Sequence, residues 1–333
     1  MNVVLTDRRR LHAWRPPHLS RSAVTFASIC LMFWGGGCGR SEEPQKYDSS
    51  GQVSMTSSAS EQQWQCGGRF AFIAGAVNVM DRSQSIYRTN VTTLAMPPNG
   101  IDGYWATRLG RNGSPPRPVE LQAGVKSAWS ARNAAFPKIL TLEAVSPVRD
   151  GLLLVDREAD AGKEDVAETL VRDIINAFVP STEHGFCVGT GAIALEPSQN
   201  EQVRLTLAKS DAPDVEVRFQ TRTVREPDTS TYSNLDEEKS LVASRGGTLN
   251  IVRDGARVAA DMSGKEIWIA VAVPNEPALV RFTWHFAGEA SSPTHPSIDI
   301  VGTTTRERTG QLESLWESIL GSLRAIPLGE SVK

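Results

Sequence analysis

The chain has 333 residues, 40% hydrophobic and 22% charged, with a formal net charge of -3. Such a composition is globular rather than disordered, and the length exceeds one average domain, so two domains are expected. The mildly acidic balance argues against nucleic acid as the main partner.

Residues 1–37 have the layout of a bacterial signal peptide of the lipoprotein type. Arg8, Arg9, Arg10, Arg15 and Arg21 precede an apolar run from Ala23 to Trp34, and Gly35-Gly36-Gly37 stand ahead of Cys38. The run is well short of the roughly 20 residues that cross a bilayer, so no permanent transmembrane helix is expected. Small residues before a cysteine resemble a lipobox, which makes Cys38 the expected lipidation site. Gly35 stands where a lipobox usually has leucine, and ordinary soluble export is the other reading. This leader carries five Arg against Asp7, so the remainder stands near -7. Residues 38–63, rich in Ser, Glu and Gln, read as a flexible tether. Of the four cysteines, Cys30 leaves with the signal and Cys38 takes the lipid. Cys66 and Cys187 are then an even pair in an oxidising compartment, and a disulfide between them is expected. Two separate buried thiols are the alternative, because sequence separation says nothing of distance.

The folded part starts near Trp64 and divides near Pro180, giving an N-terminal domain over 64–180 and a C-terminal domain over 181–333. Arg69 to Val79, Tyr104 to Leu109, Lys138 to Val145 and Gly151 to Asp156 read as strands. Lys163 to Phe178 reads as a helix with Val166, Leu170, Ile174, Ile175 and Phe178 on its apolar face. Beyond Pro180, Phe186 to Leu195, Gln202 to Leu207, Val215 to Val224, Ile267 to Val273 and Val280 to Phe286 read as strands, with Glu226 to Lys239 a long loop. Ser263 to Glu266 is expected to be the hairpin turn before Ile267. A closing helix from Gly310 to Arg324 carries a stripe of Leu312, Leu315, Trp316, Ile319, Leu320 and Leu323. The class is α+β, with two domains, each a mainly antiparallel sheet packed with an amphipathic helix.

Catalytic signatures are missing: no Gly-x-Ser-x-Gly elbow and no His-Glu-x-x-His. Ser263-Gly264-Lys265-Glu266 lacks the glycine and hydroxyl residue of a phosphate loop. Gly189-Thr190-Gly191 reads as a turn, and Asp156 to Gly162 departs from a calcium loop. His184, His285 and His295 have no metal-ligand spacing, and His285 is expected on the solvent face of its strand. No catalytic residue, metal or cofactor is expected. Among the tryptophans, Trp268, Trp284 and Trp316 fit core stripes, whereas Trp105 and Trp129 fall near loop boundaries and are the candidate partner-binding anchors.

Several blocks share a family pattern. They are Cys66-Gly67-Gly68-Arg69-Phe70, Gly185-Phe186-Cys187-Val188-Gly189, Asp211 to Val215, Gly264-Lys265-Glu266, Trp284 to Gly288 with Pro296, and Leu315 to Arg324 with Pro327. Together they resemble the immunity proteins cognate to type VI secretion lipase effectors of the fourth class. The resemblance implies a periplasmic, often lipidated, two-domain α+β protein that binds and inhibits a phospholipase toxin. It implies no active site, no nucleic acid partner, and contact with a membrane only through the lipid anchor. Pro97 to Gly113 and Glu226 to Lys239 are the candidate contact segments. The readings from other classes are an exported lipoprotein acting as an envelope assembly or solute-binding factor, and a secreted hydrolase.

Overall fold

The computed structural model describes residues 63–109, 115–131, 136, 138–229 and 235–328. These fall in one compact unit, Ser57–Lys333. The expected export signal, the expected lipidation site Cys38 and the expected tether up to residue 62 lie outside the described residues.

The chain enters through β1 (Trp64–Gly67), β2 (Phe70–Ile73) and β3 (Val77–Ile86), then turns back into β4 (Thr89–Ala95) and helix α1 (Gly100–Leu109). A meander follows: β5 (Arg117–Pro118), β6 (Lys126–Ala131), β7 (Ile139–Val148) and β8 (Gly151–Asp160), closed by helix α2 (Glu164–Asn176). Short strands β9 (Phe178–Val179), β10 (Phe186–Val188) and β11 (Gly191–Ile193) lead to β12 (Gln202–Lys209), β13 (Ala212–Arg222) and helix α3 (Leu235–Ser244). The last elements are β14 (Thr248–Ala259), β15 (Met262–Ala272), β16 (Leu279–Phe286), β17 (Ser297–Thr305), helix α4 (Thr309–Ser322) and β18 (Arg324–Ala325).

Twelve of these strands form one antiparallel sheet in the order β14-β15-β16-β17-β13-β12-β3-β4-β8-β7-β6-β5. Two three-stranded sheets, β1-β2-β18 and β10-β11-β9, pack around it. The α+β class expected from sequence holds. The large sheet runs across the residue-180 boundary, because β12 pairs with β3 from Val77 to Ser85.

Two strand sequences are apolar on both faces because both faces are covered. On β8, Leu153 and Val155 join the main core with α2, while Leu152 and Leu154 pack with Val145 against Ile101, Tyr104 and Trp105 of α1. On β15, Ile267 and Ile269 pack with Val242 of α3, and Trp268 turns to the main core. That core joins Val215, Val217 and Phe219 of β13, Phe282 and Trp284 of β16, and Ile298 and Ile300 of β17 to Leu312, Leu315, Trp316, Ile319 and Leu320 of α4. The expected α4 stripe is thus buried.

Four local expectations differ from the structure. Tyr104 to Leu109 lies in α1, where Ile101, Tyr104 and Trp105 at i, i+3 and i+4 make the seam on β7 and β8. The buried face of α2 is Ala167, Val171, Ile174 and Ile175, leaving Val166 69% exposed. Part of the Glu226 to Lys239 loop is helical, because α3 begins at Leu235. The β14–β15 turn sits at Ala260 and Asp261, both at positive φ as a two-residue hairpin demands, and not at Ser263 to Glu266. Gly264 instead lies inside β15 beneath Trp284, whose indole would stand 2.5 Å from any Cβ added there.

Candidate partner-binding surface

Between β3 and β4 the large sheet forks. The two strands meet at a tight turn, Tyr87-Arg88, with both residues at positive φ, but they pair only at Ser85–Asn90 and Ile86–Thr89. From there β3 continues along β12 and β4 along β8, so the sheet separates into two arms. The β10–β11 hairpin reaches between them. Gln84 of β3 donates through Nε2 to Cys187 O at 2.8 Å, and Gly189 at the hairpin tip, at φ 63°, abuts Thr93 of β4 so closely that a Cβ would meet Thr93 Oγ1.

A covalent clip holds that hairpin at its other side. Cys66 of β1 and Cys187 of β10 are joined as a disulfide with their Cα atoms 6.1 Å apart. Backbone hydrogen bonds run both ways beside it, Cys187 N to Gly68 O at 2.6 Å and Gly68 N to Cys187 O at 3.3 Å. Nearby, Arg69 makes a buried bidentate ion pair with Glu201, at 2.8 and 2.9 Å. Burying such a pair is costly unless its other donors are met; Arg69 Nη2 also donates to Leu195 O at 3.0 Å, while Nη1 is enclosed without a hydrogen-bond partner among the described residues.

The arms carry exposed apolar side chains: Val79 and Met80 on β3, Leu94 on β4, and Met96 just after it. Met80 stands at an irregularity in the register, where Asp81 faces Thr206 and Val79 faces Leu207. Separately, β14 forms one edge of the sheet, with Asn250 to Ala256 exposed throughout and Ile251 and Val252 apolar.

Of the two tryptophans singled out in sequence, Trp105 is half-buried on α1 beside the turn at Pro97 to Asn99. Trp129 lies in β6, is 2% exposed, and donates through Nε1 to Glu168 Oε1 of α2 at 2.8 Å. Its ring is committed to the core, so of the pair only Trp105 offers area to a partner.

His285 is also buried, contrary to the surface imidazole expected from strand alternation. Nδ1 lies 2.7 Å from Asp299 Oδ1 and Nε2 lies 2.6 Å from Asp228 O. A histidine paired to an aspartate resembles two-thirds of a catalytic triad, but a triad needs Nε2 turned to a nucleophile, and here a backbone carbonyl fills that position. Two acceptors on one ring call for two protons, so the cation is favoured. Burial alone lowers the pKa, yet the hydrogen bonds to Asp299 and Asp228 and their charges outweigh it and raise the value above its ordinary 6.5. Arg222 in turn pairs with Asp228, and Lys265 stands opposite His285 on β15. The linkage has a definite sign. A group whose folded pKa is raised stabilises fully below its unfolded value of about 6.5, and that stability is lost as pH rises through the folded value. Comparing wild type with His285→Gln in urea at pH 5.5 and pH 9 should show a stability gap that shrinks at the higher pH. An equal gap at both would place the role of His285 outside its charge.

Among the described residues no group of His, Cys, Asp and Glu is arranged to hold a metal, and no helix is long and apolar enough to cross a membrane. What the described surface offers is area, edges and charge, which protein recognition uses.

Comparison with known proteins gives the fold a context. Residues 179–327 match the family described as Tle cognate immunity protein 4 C-terminal domain. A crystal structure of a Tle4-Tli4 complex superposes with a TM-score of 0.65 at 16% identity, covering 79% of this chain and 97% of that one. The apo structure of the immunity protein TplEi of the T6SS from Pseudomonas aeruginosa gives 0.64 at 17% identity, covering 81% and 99%. The same protein complexed with an "L" peptide gives 0.61 at 16%, covering 79% and 98%. At these identities the likeness to solved structures is one of fold. No curated protein sequence matches the chain significantly.

Proposed function

We propose that this chain is a type VI secretion immunity protein, because residues 179–327 match the family described as Tle cognate immunity protein 4 C-terminal domain. It binds a cognate phospholipase effector in the periplasm and inhibits it, protecting the cell that makes the toxin. The observation that carries this reading is the family match, supported by a fold shared along about four-fifths of the chain with immunity proteins. The protein acts by binding and not by turnover. Lipidation at Cys38 holds it to the envelope, and the stretch up to residue 63 is the tether that lets the folded body reach its target. The halves on either side of Pro180 act as two domains of one binding surface, with Trp105 among its contacts.

Self-protection demands a tight complex, and tight complexes of folded partners bury about 1,600 Å2 or more. The fork with its apolar arms is the part of this molecule suited to such burial. The test is a titration of the purified protein into the phospholipase encoded beside it, following phospholipid hydrolysis. Stoichiometric loss of activity is expected. Undiminished hydrolysis together with no binding would overturn the immunity reading in favour of an envelope factor.

A further inference from the structure

Arg82 of β3 is a charge without a counterpart. It lies two residues before Gln84 and so on the same strand face, the one that looks onto the wedged β10–β11 hairpin where Gln84 reaches Cys187 O. Its side chain is half-buried, and Nη1 is enclosed with no hydrogen-bond partner among the described residues. Gln84 Oε1 beside it is likewise enclosed without a donor. Burial lowers the pKa of Arg82, and no carboxylate offsets that effect. Several other half-buried or buried arginines have carboxylate partners: Arg69 with Glu201, Arg108 with Asp156 and Glu143, Arg257 with Glu266 and Glu317, and Arg281 with Glu238. Arg157 and Arg172, which have none among the described residues, at least donate to oxygens of the chain, Arg157 to Tyr87 O and Thr89 Oγ1 and Arg172 to Leu121 O.

An uncompensated, half-buried guanidinium destabilises the free protein, so its presence points to a use outside folding. Its setting says which use. From Val77 to Ser83 the side of β3 away from β12 pairs with no strand among the described residues, leaving main-chain donors and acceptors open. Val79 and Met80 on that same stretch, with Leu94 and Met96 on the opposite arm, supply exposed apolar contact. Arginine flanked by apolar area is the usual make-up of an energetic centre in an interface.

We propose that the fork between β3 and β4 receives an extended segment of the effector, and that an Asp or Glu side chain on that segment pairs with Arg82. The segment would add to the open edge of β3, with main-chain hydrogen bonds providing affinity and the carboxylate fixing register. This inference rests on the immunity reading and goes further by naming the chemistry of the bound segment.

The experiment compares the purified wild type with Arg82→Met and Arg82→Glu, measuring both Kd for the phospholipase encoded beside it and the melting temperature of the free protein. Arg82→Glu is expected to weaken binding by tenfold or more on the order seen for desolvated charge pairs, and Arg82→Met by less. Arg82→Met should not melt below wild type, because it removes an unmatched cation without adding another charge. Binding of Arg82→Glu equal to wild type would overturn the proposal. So would a clear fall in melting temperature for Arg82→Met, which would make Arg82 a part of the fold. If the wild type itself fails to bind, the immunity reading falls and takes this inference with it.

Discussion

Replacing Trp316 with alanine is expected to lower the unfolding free energy by about 3–5 kcal/mol, the range for deleting a large core aromatic. Trp316 is fully buried on α4 and stands edge-on to Phe282, ring centroids 5.8 Å apart. It also holds a polar node in place. Trp316 Nε1 donates to Glu266 Oε1 at 2.7 Å, inside a site where Glu266 is 1% exposed. Arg257 reaches the same carboxylate at 3.0 Å and Arg253 at 2.9 Å, while Arg257 forms a second, bidentate pair with Glu317 at 2.7 Å. The hydrogen bond from Arg257 is the main reason the pKa of Glu317 lies below its ordinary value. Truncating Trp316 therefore opens a cavity and removes one of the donors that make burial of Glu266 tolerable. Trp316→Phe separates the two effects, since it restores most of the volume and loses only the hydrogen bond, worth about 1.5–3 kcal/mol to a charged acceptor. The reading is a shift of the urea midpoint at constant slope. A loss below about 1 kcal/mol for the alanine variant would contradict the core assignment.

That node also shows where sequence reading stops. The hydrophobic repeat of α4 and the alternation of β13 were legible because one face of each meets water and the other meets core, so composition records position. Glu266 carries no such record. Beside Ser263, Gly264 and Lys265 it reads as part of a polar turn, and only the approach of α4 turns it into a buried acceptor. His285 misleads for the same reason: alternation puts it opposite Phe282 and Trp284, but the loop at Asp228 covers that face as well. The true turn at Ala260-Asp261 has no glycine to announce it. Helix α1 has the i, i+3, i+4 spacing of Ile101, Tyr104 and Trp105, but its short length and flanking Pro and Gly favour an extended reading. The fork is a fact of long-range pairing, in which β3 leaves its hairpin partner for β12, more than a hundred residues downstream. No local pattern encodes that choice, and Arg82 becomes conspicuous only once the fork is seen.

Removing the Cys66–Cys187 disulfide, by Cys66→Ser with Cys187→Ser, is expected to destabilise the protein by about 2–5 kcal/mol. The bond closes a loop with a sequence separation of 121 residues, for which loop-closure entropy alone gives about 5 kcal/mol. The larger consequence lies in what the loop connects. Cys66 sits in β1 and Cys187 in the hairpin wedged into the fork. The same small cluster contains Ala71 and Ile326, and Ile326 N donates to Arg69 O at 2.8 Å while Gly185 N donates to Pro327 O at 3.0 Å. The clip thus binds the beginning and the end of the described chain to the hairpin that separates the two arms. Without it the hairpin keeps its pairing to β9 and its core side chains, but its attachment to β1 and β3 rests on the backbone pairs beside Gly68 and on Gln84, each worth on the order of 1 kcal/mol. Two readings follow from one variant. The urea midpoint should fall by the stated amount, and Kd for the effector should rise even at denaturant-free conditions where the protein remains folded, because the fork loses its fixed spacing. A fall in stability with unchanged Kd would restrict the disulfide to the fold. Detection of two free thiols in a denatured, unreduced protein that begins after Cys38 would remove the bond, and with it the rigid hairpin on which the geometry of the fork depends.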